Sequence, residues 1–175
     1  HNKLVTVHGE YLICVWNIDP ELKLINSIKS TTSISVTEFR DTTNDIITGS
    51  RLGTLHLYTF EAQFNAYILF AESSQSLQEP IIGIKSTSET FILITQNAKI
   101  AIVASNLNDI LKPLQLLKKN TILSQTEFID LSRVVLGDIK GNVYIVDIGT
   151  FEMSSIYTST EILPVISLAY RSTLI

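Results

Sequence analysis

Side chains of the types that perform catalysis or bind metals are few in this sequence, and they lie far apart. There are three histidines, His1, His8 and His56, and a single cysteine, Cys14. Catalytic and metal sites need such residues at defined spacings, and the sequence contains no HExxH, GxSxG, GxGxxG or Walker-type phosphate-loop pattern. The sequence therefore predicts no catalytic residue, no cofactor-binding residue and no metal ligand, and we expect a protein that is not an enzyme.

The cysteine and one histidine lie inside apolar runs that are typical of β-strands. Cys14 belongs to the apolar run 12–15. His56 stands between Leu55 and Leu57. Successive strand residues point to opposite faces, so we expect the His56 ring to face away from both leucines. A single cysteine forms no intramolecular disulfide and no CxxC site, which favours a buried thiol and an intracellular location.

The charged residues are sparse and show no strong excess of either sign. The 175 residues include 13 Lys and Arg against 17 Asp and Glu, for a formal net charge of −4, while 45% of the residues are hydrophobic. This composition predicts a buried core and disfavours nucleic-acid binding by this segment alone. No apolar run reaches the length of about 18 residues that a membrane span needs, so no membrane partner is expected.

The strands that carry these residues are organised as a repeat. The segments 49–60 and 137–148 both contain a Gly-containing turn followed by a strand of alternating apolar and polar residues, and 8–18 and 96–103 are weaker versions. Equivalent positions in the four repeats are separated by 42, 45 and 43 residues: Trp16, Tyr58, Val103 and Val146. A period of about 40–45 residues with several short strands is typical of β-propeller blades, whose neighbouring sheets cover one another.

Each repeat divides into a blade of four antiparallel strands, so we predict an all-β propeller with about four blades in this chain. The predicted blades are 1–30 together with 162–175, then 33–72, 80–119 and 121–160. Their inner and middle strands are apolar on both faces, as in Ile46 and Ile47, which is expected for sheets covered on both sides. The outer strand of the third blade is predicted over 110–118, with a short helix as the alternative. A lone inner strand is predicted over 162–170.

The repeat resembles the WD40-type β-propeller family. The resemblance is carried by the segment Val-Trp-Asn-Ile at 15–18, by Val-Asp at 146–147, and by the Gly-x-x-x-Gly turns at 49–53 and 137–141. The chain departs from the family pattern because it has one tryptophan, followed by Asn17, and no Gly-His pair before its inner strands. Since seven blades are the commonest number in this family, the resemblance implies that these blades belong to a larger ring that needs further blades to close. A small closed ring is the alternative.

Two turns also resemble a narrower group of divergent propellers. The segments Gly-Ser-Arg-Leu-Gly at 49–53 and Leu-Gly-Asp-Ile-Lys-Gly at 136–141 are similar to blade turns of the damaged-DNA-binding adaptor of cullin ubiquitin ligases and of the large cleavage-and-polyadenylation and splicing-factor subunits. This resemblance implies a non-catalytic scaffold or adaptor in a multiprotein complex, with other protein subunits as partners. It also implies an intracellular location, cytoplasmic or nuclear, with the nucleus favoured.

The residues predicted to contact a partner lie in turns, because loops on a rigid scaffold suit recognition. They are Glu10, Arg51, Asp138 and Lys140. The Ser-, Gln- and Glu-rich connection 72–80 is predicted to be an exposed loop.

Two other functions stay open on the sequence alone. A propeller enzyme would place its site in the central channel, where the predicted inner strands offer a few polar residues: Thr37, Glu38, Lys85 and residues 125–127. A nucleic-acid-binding subunit would need a basic stripe, and the local basic cluster consists of Lys112, Lys118 and Lys119.

Overall fold

The computed structural model describes residues 3–40, 42–109, 113–118 and 120–169, and in these ranges all regular structure is β-strand. The first of four antiparallel sheets contains β1 (Lys3–His8), β2 (Leu12–Asn17) and β3 (Lys23–Lys29). The second contains β4 (Ile34–Arg40), β5 (Asp45–Ser50), β6 (Leu55–Glu61) and β7 (Ala66–Glu72). The third contains β8 (Ile81–Ser86), β9 (Thr90–Thr95), β10 (Lys99–Ala104) and β11 (Leu114–Gln115). The fourth contains β12 (Leu123–Phe128), β13 (Arg133–Asp138), β14 (Val143–Asp147) and β15 (Met153–Tyr157).

Within each sheet, strands that are consecutive in sequence are hydrogen-bonded neighbours. This order follows from the short polar connections, which allow only antiparallel pairing of adjacent strands. The predicted all-β class, with about four blades in this chain, is confirmed, and the first of the described sheets has three strands. Residues 110–112 of the predicted outer strand 110–118 lie outside the described residues, and the described part of that segment forms β11 rather than a helix.

The register of the sheets confirms the predicted repeat. Each of the four equivalent residues pairs with an apolar residue on the preceding strand of its sheet: Trp16 with Leu4, Tyr58 with Ile46, Val103 with Phe91 and Val146 with Val134. Strands β1 and β2 therefore correspond to β5 and β6 of the second sheet. In the described chain, the first sheet has no counterpart of the inner strands β4, β8 and β12.

Three apolar clusters join the four sheets in a row. Between the first and second sheets, Ile13 and Val15 pack with Ile46 and Tyr58. The second cluster joins the second and third sheets through Ile47, Leu57, Phe91 and Val103. The third joins the third and fourth sheets through Ile92, Ile94, Val134 and Val146. The second and third sheets are thus covered on both faces, as the apolar strands predicted.

Close approach between sheets depends on two glycines at equivalent positions. A Cβ atom on Gly49 would lie 2.9 Å from the side chain of Ile81, and one on Gly137 would lie 2.7 Å from that of Val165. A serine bridges each contact: Ser35 Oγ donates to the Ile81 carbonyl at 2.6 Å, and Ser124 Oγ donates to the Val165 carbonyl at 2.7 Å. Residues around Val165 therefore occupy the same place beside the fourth sheet that β8 occupies beside the second.

The prediction of a strand over 162–170 is wrong for its described part. Residues 162–169 form no regular strand, and Tyr170 lies outside the described residues. The backbone N–H of Val165 donates to the carbonyl of Asp138 at 3.1 Å, which holds the segment on the fourth sheet. β8 is a strand because it pairs along its length with β9, whereas no described strand pairs with 162–169.

The ring of His56 is buried in the second sheet, with 1% of its surface exposed. Its neighbours Leu55 and Leu57 belong to the cluster that faces the third sheet, so His56 lies on the opposite face of β6, as predicted. Neither ring nitrogen has a hydrogen-bond partner among the described residues, and Glu72 Oε1 lies 3.6 Å from Nε2. Burial lowers the pKa of His56 from its ordinary value of 6.5, although the Glu72 charge opposes this shift.

The substitution Gly49→Ala is expected to destabilise the protein. Its methyl group would collide with Ile81 and with Val36, each at 2.9 Å, and overpacking of this kind costs about 2 kcal/mol. Urea unfolding followed by circular dichroism measures the change. Gly149→Ala is the matched control, because its nearest contact is an ordinary 3.4 Å to Asp147. Equal stability of the two variants would contradict the close-packing argument.

The free energy of unfolding is expected to fall as the pH is lowered from 7 to 5. The unfolded chain takes up a proton at His56 near pH 6.5, whereas the folded chain, whose His56 pKa is lower, takes it up only at a lower pH. The variant His56→Leu removes this difference and should show a smaller fall, measured by thermal melting across that pH window. Tyr58→Phe, beside the same ring, should keep the parental pH dependence. An identical pH dependence in His56→Leu would disprove the assignment.

Candidate interaction surface

One face of the row of sheets is built from four turns, and we name it the turn face. The turns join β1 to β2, β5 to β6, β9 to β10 and β13 to β14, and they comprise residues 9–11, 51–54, 96–98 and 139–142. Each turn is bonded to the connection that leaves its own sheet: the carbonyl of Tyr11 accepts from Ser30 N–H at 2.7 Å, and that of Gly53 accepts from Leu77 N–H at 3.0 Å. The turns and connections therefore form one continuous surface.

A polar residue at the end of the preceding strand organises three of these turns. Ser50 Oγ accepts from the backbone N–H groups of Leu52 and Thr54, at 3.2 and 3.0 Å. Thr95 Oγ1 accepts from Lys99 N–H at 3.2 Å in the next sheet. These side chains satisfy donors that a tight turn would otherwise leave unpaired, so the turns are held in defined conformations.

Asp138 performs this role in the fourth sheet and is buried. Its Oδ1 accepts from the backbone N–H of Lys140 at 2.8 Å and of Asn142 at 2.9 Å. Its Oδ2 accepts from Asn142 Nδ2 at 2.8 Å and from the Tyr144 hydroxyl at 3.2 Å. The carboxylate is thus directed into its own turn rather than towards solvent, and the exposed side chains of that turn are those of Ile139 and Lys140.

Left-handed backbone completes these turns. Gly53 and Gly141 have φ of 84° and 86°, a conformation that glycine adopts without steric cost. Both stand three residues after the polar residue that organises the turn, so the Gly-x-x-x-Gly spacing seen in the sequence has a structural cause.

Glu10 and Arg51 lie together on the turn face, although they belong to different sheets. Arg51 Nη2 donates to Glu10 Oε1 at 2.5 Å, and Ser33 Oγ donates to Oε2 of the same carboxylate at 2.6 Å. The Ser33 hydrogen bond and then the Arg51 guanidinium lower the pKa of Glu10. Sequence reasoning identified both charged residues but not their contact, because it depends on how the first two sheets stack.

The connection 72–80 is held against the turn face, and the prediction of an exposed loop is wrong for part of it. Ser73 and Glu79 are buried. Lys99 Nζ donates to Glu79 Oε1 at 2.7 Å, and Ser73 Oγ accepts from Leu55 N–H at 3.0 Å. These contacts fix a segment whose composition alone is typical of mobile loops.

Two turns present the same pair of side chain types to solvent. The second sheet shows Arg51 beside Leu52, which is 65% exposed, and the fourth shows Lys140 beside Ile139, which is 40% exposed. Sequence analysis missed the two apolar residues, although their position one or two places after Ser50 or Asp138 marks them as turn residues. Exposed apolar side chains next to cations are suited to contacts with another protein.

A cavity of about 290 Å³ opens on the turn face between the third and fourth sheets. Lys118, Lys140 and Tyr144 contribute to its wall, and Asp138 lies beneath them. Neither lysine takes part in an ion pair with any described residue, whereas Arg51 and Lys99 are paired with carboxylates. This end of the turn face therefore carries two lysines without an ion-pair partner among the described residues, beside the Asp138 carboxylate that also lines the cavity.

Four of the polar residues predicted on the inner strands line a separate groove of about 190 Å³, namely Glu38, Lys85, Thr126 and Glu127, whereas Thr37 and Gln125 do not line it. Glu38 and Lys85 face each other there, with Lys85 Nζ 3.6 Å from Glu38 Oε1, and Ser86 Oγ also donates to that oxygen at 3.3 Å. Thr126 Oγ1 donates to the Ile82 carbonyl at 3.2 Å, so it joins two inner strands. These groups bond mainly to one another and hold the inner strands together.

The described ranges of the chain contain neither a membrane-spanning helix nor a metal-binding cluster. There, no helix has the length and apolar character needed to cross a membrane. The described side chains also include no group of three or more His, Cys, Asp or Glu with the arrangement of a metal site.

Comparisons with known proteins identify the architecture. No protein-family model and no curated protein sequence matches the chain. The C-terminal WD40 domain of Sif2 is similar in structure, with a TM-score of 0.65 and 15% sequence identity over 94% of this chain and 48% of that domain. The computationally designed protein Ika8 gives a TM-score of 0.68 and 15% identity over 98% of this chain and 51% of its own. The chain thus has a WD40-like β-propeller fold and spans about half the length of each structure.

The substitution Asp138→Ala is expected to destabilise the protein by about 3 kcal/mol, because three partly buried donors lose a charged acceptor. Thermal and urea unfolding measure the loss. Lys140→Ala, in the same turn, is the control and should leave stability unchanged, since its side chain is exposed. A near-neutral Asp138→Ala would show that the carboxylate does not organise the turn.

Proposed function

We propose that this protein is a non-catalytic scaffold that binds other protein subunits through the turn face. The observation that carries the proposal is the pair of rigid turns that present a cation next to an exposed apolar residue, Arg51 with Leu52 and Lys140 with Ile139. The WD40-like fold supports the proposal because stacked sheets hold such turns in fixed positions.

The chemistry of the turn face indicates what kind of partner fits it. Lys118 and Lys140 have no carboxylate partner among the described residues and border the same cavity. A partner segment with acidic and apolar side chains would neutralise these charges and cover Ile139. The Glu10–Arg51 pair lies at the opposite end of the same face, where Arg51 keeps hydrogen-bonding capacity beyond its contact with Glu10.

The partner-contact residues Glu10, Arg51 and Lys140 stay predictions and form part of this proposal. Asp138 contributes by holding the turn that carries Lys140. We further propose a role in a multiprotein complex inside the cell. The turns at 49–53 and 136–141 make a ubiquitin-ligase adaptor or a nucleic-acid-processing assembly the classes to examine first.

Charge reversal on the turn face is expected to abolish partner capture. The double variant Arg51→Glu and Lys140→Glu should lose the proteins that the parental chain retains from an extract, as identified by mass spectrometry, and a purified partner should bind it at least tenfold more weakly in calorimetry. Both side chains are exposed, so the fold should remain intact.

The matched control is Lys23→Glu, which changes an exposed lysine at the first position of β3, away from the turn face. This variant should capture the same partners as the parental chain. Equal capture by all three proteins would exclude the turn face as the binding surface.

A further inference from the structure

A cavity of about 430 Å³ opens between the first and second sheets, at the edge opposite the turn face. Its wall is formed by the start of β1, the end of β2 and the start of β3, and by Phe60 and Asn65 beside the turn that follows β6. The volume lies within the range of about 300–1,000 Å³ that is typical of sites for small molecules. The cavity shares no described residue with the turn-face cavity or the inner-strand groove.

Two lysines give this cavity its charge. Lys3 and Lys23 both line it, and neither forms an ion pair with any described residue. The described lining residues include no aspartate or glutamate. The acidic residues nearest in sequence, Asp19 and Glu21, belong to the turn before Lys23 and do not line the cavity. The described wall therefore presents positive charge without negative charge.

The Lys3 ammonium is held in position by uncharged groups of the second sheet. Its Nζ donates to Asn44 Oδ1 at 2.8 Å and to the Tyr67 hydroxyl at 3.1 Å. It also lies 4.7 Å from the centroid of the Phe60 ring and 5.3 Å from that of Tyr67. These contacts orient the cation without neutralising it. Because an ammonium group has three donors, one N–H of Lys3 remains for a ligand.

The surroundings of Lys3 favour binding of an anion. Partial burial lowers the pKa of Lys3 from its ordinary value of 10.5. Burial and the charge of Asp45 raise the pKa of Tyr67 to about 12, so the Tyr67 phenol is neutral at pH 7 and contributes no negative charge. Asp45 is itself buried and does not line the cavity. An anion beside Lys3 would favour the charged ammonium and offset the cost of its burial.

The rest of the wall combines apolar surface with side-chain amides. Leu24, Ile25 and Phe60 supply the apolar surface. Asn17 and Asn65 supply the amides, and Asn17 Nδ2 donates to the Asp19 carbonyl at 2.7 Å, which fixes its orientation. A ligand that matches this wall has an anionic group for the lysines and an apolar body for the remaining surface.

We propose that this cavity binds a small organic anion, in which a carboxylate or phosphate group is joined to an apolar body. Lys3 and Lys23 bind the anionic group through charge-assisted hydrogen bonds. Phe60 and Leu24 cover the apolar body. This site is independent of the proposed scaffold function, because every described residue that lines it lies outside the turn face.

Phenyl phosphate is the probe that tests this site, by calorimetry and by NMR of the 175-residue chain. We expect saturable binding that shifts the side-chain amide signals of Asn17 and Asn65. Absence of saturable binding, or binding that leaves both amide signals unchanged, would overturn the proposal.

Two further compounds separate the charge of the probe from its apolar body. Inorganic phosphate has the charge alone, and benzyl alcohol has the apolar body alone. Each should bind about tenfold more weakly than phenyl phosphate, since each lacks one of the two contacts. Benzoate, which has both, should bind. Equal affinity for phenyl phosphate and for either of the first two compounds would contradict a site for an organic anion.

The variants Lys3→Met and Lys23→Met should each weaken phenyl phosphate binding about tenfold, because each removes one cation. Lys3→Met leaves the 3.0 Å hydrogen bond from the Tyr67 hydroxyl to Asn44 Oδ1 in place, and Lys23 is exposed, so both variants should keep the parental melting temperature. Lys29→Met, at the other end of β3, is the matched control and should bind like the parental chain. Parental affinity in both cavity variants, or an equal loss in Lys29→Met, would overturn the assignment.

Discussion

The structure depends on the burial of each sheet face by the next sheet. A single four-stranded sheet with Ile46 and Ile47 side by side has two apolar faces and cannot cover either by itself. Stacking gives each face a partner, and burial of an aliphatic side chain contributes about 2 kcal/mol. The close approach this requires explains why glycine stands at 49 and 137, where the next inner strand or its equivalent arrives.

Regular stacking also places the turns. Because the four sheets have the same strand register, an equivalent turn recurs at the same edge of each sheet. In three of the sheets, the polar residue that ends the strand before this turn forms its hydrogen bonds within the protein. Asp138 shows the consequence. The sequence suggests an exposed carboxylate in a turn, but in the structure this carboxylate accepts hydrogen bonds from the backbone N–H groups of its own turn. What remains exposed at the surface is the outward side chains, cationic and apolar, of the residues that follow it.

The same logic separates two kinds of surface. The turn face is polar, partly paired and rigid, which suits recognition of another protein. The two flat faces at the ends of the described row of sheets differ from this surface: Leu4 is 44% exposed and Ile145 is only partly buried, whereas Phe91 and Leu57, their equivalents at the second junction, are buried.

The sequence by itself determined the fold class, the repeat period and most of the strands. The alternation of apolar and polar residues and the spacing of Trp16, Tyr58 and Val146 can be read without knowing any tertiary contact. It also placed His56 on the correct face. Only the tertiary structure decided that Glu10 meets Arg51, that the 72–80 connection is pinned through Glu79, and that 162–169 is not a strand. Each of these features depends on which segment lies beside it in a neighbouring sheet. Such segments are far apart along the chain, so no local sequence pattern indicates that they meet.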